Sequence, residues 1–196
     1  MISAQDVQNK IIELTSPGGY FETADFDVSG QSLKGFKSAP SDMLAVIGAG
    51  RQFADQPFIV FEEYRYTFAE FYTEVDALKS YLQSNVGVKS GDRVVIAMQN
   101  CPHWSVAFYA ILSVGAIAVP LNSWSTAEEL DFLVGNADPV CAIVDARRCE
   151  LLVTLEQRSN LPLLVTSQLN PCDLPSNARA LEDAIAEGAA LISEPI

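Results

Sequence analysis

Apolar positions along this chain change rhythm several times, and each change marks a different kind of structure. Residues 4–14 put Val7, Ile11 and Leu14 on one side of a short helix with Ile12 beside them, and Pro17-Gly18-Gly19 ends it. Residues 20–39 hold no sustained period; dotted with Asp25, Asp27, Gly30 and Gly35, they are predicted to be mostly loop. Ser41-Asp42 then caps a helix from Met43 to about Phe53. Phe58-Ile59-Val60-Phe61 and Arg65-Tyr66 predict a hairpin turning at Glu62-Glu63-Tyr64. Thr67 and Glu70 have the spacing of a capping box. Phe68, Phe71, Tyr72, Val75, Leu78 and Leu82 follow at helical spacing, with Glu70, Glu74, Lys79 and Gln83 assigned to the opposite, solvent side, and Gly87 stops the helix.

Beyond Gly87 the pattern alternates. Strands apolar at every position start at Val94, Ala116, Val140 and about Leu161, and helical segments lie between them at roughly 102–113, 126–137 and 146–157. Ser125 and Glu128 form a second capping box. Strands without a polar side are buried on both faces, and their alternation with helices implies parallel βαβ units. The predicted fold is therefore α/β: a mostly parallel sheet with helices on both faces. Residues 1–55 are a lead-in of helices and loop, 56–170 the α/β core, and 171–196 a loop and one more helix near Leu181–Leu191. No closing strand is predicted there, so the rhythm stops as it would in an incomplete N-terminal subdomain.

Composition narrows the function classes. The chain has 196 residues, about half of them apolar, enough for a real core. Its net charge is −13, from 25 acidic and 12 basic side chains, with no Lys/Arg cluster, which argues against nucleic acid and anionic membranes as partners. Cys101, Cys141, Cys149 and Cys172 include no Cys-x-x-Cys pair and His103 is the sole histidine, so no metal site is expected. Neither a secretory signal nor a transmembrane segment is visible: the apolar run from Val106 to Leu121 is too short and is broken by Ser113, Gly115 and Pro120. The expected location is cytoplasmic.

Ligands of an open parallel sheet bind outside the carboxyl ends of its strands. The segments there are Gln99-Asn100-Cys101-Pro102, Pro120 to Ser125, Asp145-Ala146-Arg147-Arg148 and Thr166-Ser167-Gln168. None is a glycine-rich phosphate cradle. Ile47-Gly48-Ala49-Gly50 lacks a third glycine, because Phe53 stands there, and reads as a helix end. Gly30-Gln31-Ser32-Leu33-Lys34 fails the nucleophile-elbow pattern at its last position. His103, in a first helical turn, is expected to be a neutral packing or surface residue rather than a base. Trp104, Phe108 and Tyr109 on one helix, and Trp124 in a strand-end loop, are read either as packing or as the wall of an apolar substrate pocket. Arg147 and Arg148 are read as exposed.

Four segments in this order resemble the N-terminal part of an AMP-forming acyl-CoA synthetase, of the adenylate-forming ligase superfamily. They are Thr67-Phe68-Ala69-Glu70-Phe71, Gly91-Asp92-Arg93-Val94, the aromatic helix from Asn100 to Tyr109, and Gly115-Ala116-Ile117-Ala118-Val119-Pro120-Leu121-Asn122. The resemblance implies a parent that activates a carboxylic acid with ATP and Mg as an acyl-adenylate and passes the acyl group to coenzyme A. It carries over no catalytic or cofactor-binding residue, because the family's phosphate loop and its lysines match nothing in this chain. The implied partners are the rest of the ligase chain and a small carboxylic acid, a fatty acid being the expected one; no cofactor is expected to bind this chain alone, and alone it is expected to be inactive. Two other readings stay open: a non-enzymatic acyl-binding or dimerisation module derived from such a ligase, and an unrelated doubly wound nucleotide-binding domain.

Overall fold

A computed structural model describes residues 2–154, 160–170 and 173–193. The chain divides into two compact units, Met1–Val46 and Ile47–Ile196.

In the first unit, α1 (Ala4–Thr15) opens in a capping box between Ser3 and Asp6. No residue of this helix is buried, and its Val7, Ile11 and Ile12 stripe is about half exposed. The stretch predicted as loop is instead an antiparallel hairpin, β1 (Thr23–Val28) with β2 (Gln31–Phe36). Its two-residue connection, Ser29-Gly30, has positive φ at both positions, 55° and 81°, the geometry that matches strand twist. Ala24, Phe26 and Val28 alternate with Asp25 and Asp27, a period of two that the strand-averse aspartates conceal. Across the ladder Gly35 leaves room for the Phe26 ring, which a Cβ there would meet at 3.2 Å.

Helix α2 (Met43–Ala49) spans the division and runs into a 3-10 turn at Gly50–Phe53, as the pattern predicts. In the second unit, hairpin β3 (Pro57–Phe61) and β4 (Tyr64–Thr67) precedes α3 (Phe68–Tyr81). Thr67 and Glu70 close the expected capping box. A π turn at Leu82–Val86 and Gly87, at φ 81°, end this segment. The alternation follows: β5 (Arg93–Ala97), α4 (Pro102–Val114), β6 (Ile117–Pro120), α5 (Ala127–Ala137), β7 (Cys141–Asp145), α6 (Ala146–Val153), β8 (Leu163–Thr166), β9 (Ala178–Ala180) and α7 (Leu181–Ser193).

Three local expectations change. The capping box of α5 is Thr126–Glu129, one residue later than predicted, because Ser125 is buried and its N–H is spent on Asn122 O in the preceding turn. A strand the pattern does not show, β9, pairs parallel with β8; at three residues it is too short to carry a period. The predicted helix 146–157 ends at Val153, and its last residues, 155–157, lie outside the described residues, as do Pro171, Cys172 and the terminal Glu194-Pro195-Ile196.

The five-stranded sheet has the order β6-β5-β7-β8-β9, parallel throughout. Successive side chains of each strand serve opposite faces. Val94, Ile96, Cys141 and Ile143 join Phe71, Val75 and Leu78 of α3, Val106 and Ala110 of α4 and Leu181 of α7. Val95, Ala97, Ala142 and Val144 join Leu130 and Val134 of α5 and Cys149 and Leu152 of α6. Helices therefore cover both faces, and β7 is buried at all five positions.

At the amino edge, Arg93 donates from Nε to Ala137 O and from Nη2 to Asp138 O at 3.1 Å, satisfying carbonyls at the end of α5. Gly91, at φ 85°, donates to Gly115 O at 3.0 Å, which ties the start of β5 to the end of α4. The Gly-Asp-Arg-Val motif thus has a structural role.

Two glycines give opposite expectations. Gly188 of α7 lies against the Ala77 backbone of α3, where an added Cβ would overlap the carbonyl oxygen. Gly48 has open space around it. Gly188→Ala is expected to cost about 1–3 kcal/mol in urea unfolding, and Gly48→Ala to stabilise by about 0.5–1 kcal/mol.

Candidate functional site

In the order β6-β5-β7-β8-β9 the chain reverses direction across the sheet between β5 and β7, and the carboxyl ends of these two strands form the crevice where doubly wound folds take ligands. Here the protein's own groups fill it. Asp145 ends β7 and is 3% exposed. Its Oδ2 accepts the Gln99 N–H from the end of β5 at 3.0 Å, and its Oδ1 accepts the Arg148 N–H at 3.0 Å, capping α6. The Arg148 guanidinium, on a residue 2% exposed, lies 3.1 Å from Oδ2. Arg148 is therefore buried in an ion pair, contrary to the exposed reading; Arg147 is exposed as expected.

The neighbouring helix starts are likewise capped in part from within. At α4, Pro102 occupies the first turn, the His103 N–H donates to Gln168 Oε1 at 3.0 Å, and the Trp104 N–H donates to Cys101 O at 3.0 Å. At α5 the Thr126–Glu129 box takes up the Thr126 and Glu129 N–H groups, and at α6 Asp145 takes up that of Arg148. A phosphate needs such N–H groups free. At these ends side-chain caps already take some of the donors, and the carboxylates of Asp145 and Glu182 both act on Cys101 at the start of α4. These residues do not fit a Mg-ATP site.

Beside the crevice lies a polar cluster inside the apolar contact of α3, α4 and α7. His103 is 4% exposed. Its Nδ1 is 2.7 Å from Thr166 Oγ1 and 3.6 Å from Glu182 Oε1, and its Nε2 is 4.0 Å from Glu74 Oε2. Glu182 Oε1 accepts the Ser167 N–H at 2.9 Å and its hydroxyl at 2.8 Å. Gln168 Nε2 donates to Tyr66 Oη at 3.3 Å. Buried Glu74 Oε2 and Glu182 Oε2 have no hydrogen-bond partner among the described residues. Burial pushes the Glu74 carboxyl up to about 7, with help from Glu182 and Glu70. Burial pulls the His103 imidazole down to about 4 against the opposing pull of Glu182. Burial also raises Glu182, but its Ser167 and backbone hydrogen bonds and His103 carry it below the usual carboxylate range.

His103 is a buried packing residue, in line with the neutral reading. Glu74 corrects the pattern: it lies three residues after Phe71 and four before Leu78, on the inward side of α3 rather than opposite it. That position in the apolar stripe is the signal that marks it. Thr166 and Gln168 lie in a strand-end segment already singled out, whereas Glu182 in the first turn of α7 looks like an ordinary helix-start acid.

The four aromatic candidates fall into two places. Trp104 and Phe108 stack, with centroids 5.4 Å apart, and Tyr109 meets Phe71 edge-on at 5.1 Å; all three are partly buried against the core. Trp124 stands in the loop after β6, 75% exposed. Close to it in sequence, Asn122, Ser125, Glu128, Glu129, Phe132 and Leu133 line an open hollow of about 540 Å³, with Phe132 72% exposed. Cys101, Cys141 and Cys149 are buried thiols, and burial pushes Cys141 up to about 12. Among the described residues no His/Cys/Asp/Glu group forms a metal site, and no helix is long and apolar enough to cross a membrane.

Comparisons with known proteins agree with this geometry. The family model described as AMP-binding enzyme matches residues 48–189. A long-chain-fatty-acid–CoA ligase of Salmonella typhimurium is 27% identical over 121 residues, 62% of this chain and 22% of that protein. One of Bacillus subtilis is 34% identical over 86 residues, 44% of this chain and 15% of that protein. The fold is also that of an anthranilate CoA ligase solved in complex with anthranoyl-AMP, with TM-score 0.66 and 18% identity over 72% of this chain and 27% of that one. The chain thus spans no more than 27% of the length of these relatives.

The buried pair yields a stability test. Asp145→Ala leaves the Arg148 guanidinium without its carboxylate and is expected to cost about 3–5 kcal/mol in chemical denaturation. Adding Arg148→Met in the same chain is expected to restore part of that loss.

Proposed function

The chain belongs to the AMP-binding enzyme family, and from that premise we propose that it is the N-terminal α/β part of an ATP-dependent carboxylic acid:CoA ligase acting through an acyl-adenylate. The match of residues 48–189 to the family carries this reading and displaces the unrelated nucleotide-binding domain. A fatty acid is the proposed substrate, in keeping with the two bacterial relatives, and the cytoplasm is the proposed location. The self-capped helix starts and the Asp145–Arg148 pair support a scaffold role, with ATP, Mg and coenzyme A held by parts of the ligase beyond these residues. Trp104, Phe108, Tyr109 and Trp124 are proposed to contribute, at most, an apolar wall for the acid.

A non-enzymatic acyl-binding or dimerisation module is the second reading, favoured by exposed Trp124 and by Phe132 beside the open hollow. Binding of palmitate by the purified 196-residue chain without ATP supports it.

The test of the ligase reading is ATP–pyrophosphate exchange with a series of fatty acids. The 196-residue chain is expected to show none, and a protein of the relatives' length that contains it is expected to show acid-dependent exchange. Exchange by the short chain contradicts the scaffold role; no exchange by the long protein with any acid contradicts the ligase reading.

A further inference from the structure

His103, Glu74 and Glu182 meet where α3, α4 and α7 close over the sheet, and among the described residues none of the three is paired with a lysine or arginine. From α3 itself Glu70 adds negative charge, and from β4 the Tyr66 hydroxyl hydrogen-bonds the Glu74 carboxyl group, a pull toward the ionised form that burial outweighs. Arg51, in the 3-10 turn, is engaged with Asp76, two residues along α3 from Glu74 and so on another side of it. Arg179 pairs with Glu187 and lies over the Tyr81 ring near the end of α3. The β3 strand and the π turn after α3 bring no titratable group.

Two proton arrangements are open to Glu74 and His103 while Glu182 stays ionised. In the first, the imidazole is protonated and the Glu74 carboxylate is charged. Its Oε2 would then be a buried anionic oxygen without a hydrogen bond, 4.0 Å from the nearest imidazole nitrogen, beyond hydrogen-bond reach. In the second, both groups are neutral, which removes a charge pair from an apolar wall. Both arrangements keep an Nδ1–H that donates to Thr166 Oγ1 at 2.7 Å and points its positive end toward Glu182, so they differ only at Nε2, where the unpaired Glu74 Oε2 favours the second. Nε2 then carries a lone pair facing the Glu74 acid.

We propose that folding moves one proton from His103 to Glu74, so that a carboxylic acid and a neutral imidazole stand side by side in the wall between α3, α4 and α7, and that each residue conceals the other's effect on stability. The N–H bond at Nε2 is lost and an O–H bond on Glu74 is gained, so the total proton count of the pair does not change. Glu74 is raised from 4.5 to about 7, so alone it stabilises the fold below 4.5 and loses that contribution as pH rises to 7. His103 is lowered from 6.5 to about 4, so alone it makes stability rise with pH across that interval. Where the intervals overlap, the slopes are equal and opposite.

The sole histidine makes the test direct. Long-range ¹H–¹⁵N spectra of the ¹⁵N-labelled, tag-free chain at pH 6 are expected to show a neutral imidazole protonated at Nδ1. An imidazole protonated on both nitrogens overturns the proposal. In urea unfolding between pH 5 and 6, the folding constant of Glu74→Gln, relative to the parent chain, is expected to rise about tenfold, and that of His103→Gln to fall about tenfold. Slopes of the same sign in the two variants overturn it as well. Should either variant not fold, the spectrum of the parent chain decides.

Discussion

The carboxylate of Asp145 is the point on which the carboxyl edge of the sheet depends. It accepts a backbone N–H from the end of β5, caps α6 and neutralises Arg148, all from a position almost closed to water. A charge so placed is tolerated only when its hydrogen-bonding capacity is used. Its three engagements use most of that capacity and join the two central strands where the chain reverses direction. The same contacts decide what the crevice does: a strand-end gap that in other doubly wound folds receives a ligand is here closed by the protein's own groups.

The rest follows from strands buried on both sides. Each strand sends alternate side chains into two separate cores, so α3, α4 and α7 are needed on one face and α5 and α6 on the other. Burying a Val, Leu or Ile side chain contributes about 1.5–3 kcal/mol, which makes this two-sided packing the dominant stabilising effect. Close backbone contact at Gly188 sets how near α7 approaches α3, and that approach brings Glu182 to His103. At the opposite edge Arg93 holds the end of α5. Polar residues therefore fix the two edges of a sheet whose middle is apolar.

Much of this is legible in the sequence. Continuous apolar runs mark β5, β7 and β8, and the Thr67–Glu70 pair marks the start of α3, because each leaves a local pattern. The β1–β2 hairpin escaped because its decisive signal is two consecutive positive φ values at Ser29-Gly30, and Ser is no advertisement for that conformation. Glu74 and Arg148 escaped for another reason. Their burial depends on partners 29 residues away, in His103, or on a strand-end carboxylate, and charge alone reads as solvent-facing. The aromatic residues were visible as a group, but only the fold separates the partly buried Trp104–Phe108 stack from exposed Trp124.

Family membership and site geometry point in complementary directions: the chain belongs to the AMP-binding enzyme family, and Asp145, Gln99 and Arg148 at its strand ends are engaged with one another. The proposed division of labour places nucleotide handling elsewhere in the longer protein. Equilibrium dialysis of the purified chain against labelled Mg-ATP, up to about 1 mM, the upper end of usual substrate constants, tests that division most directly. The account predicts no saturable binding. Saturable binding at one site, lost in excess unlabelled ATP, would contradict it.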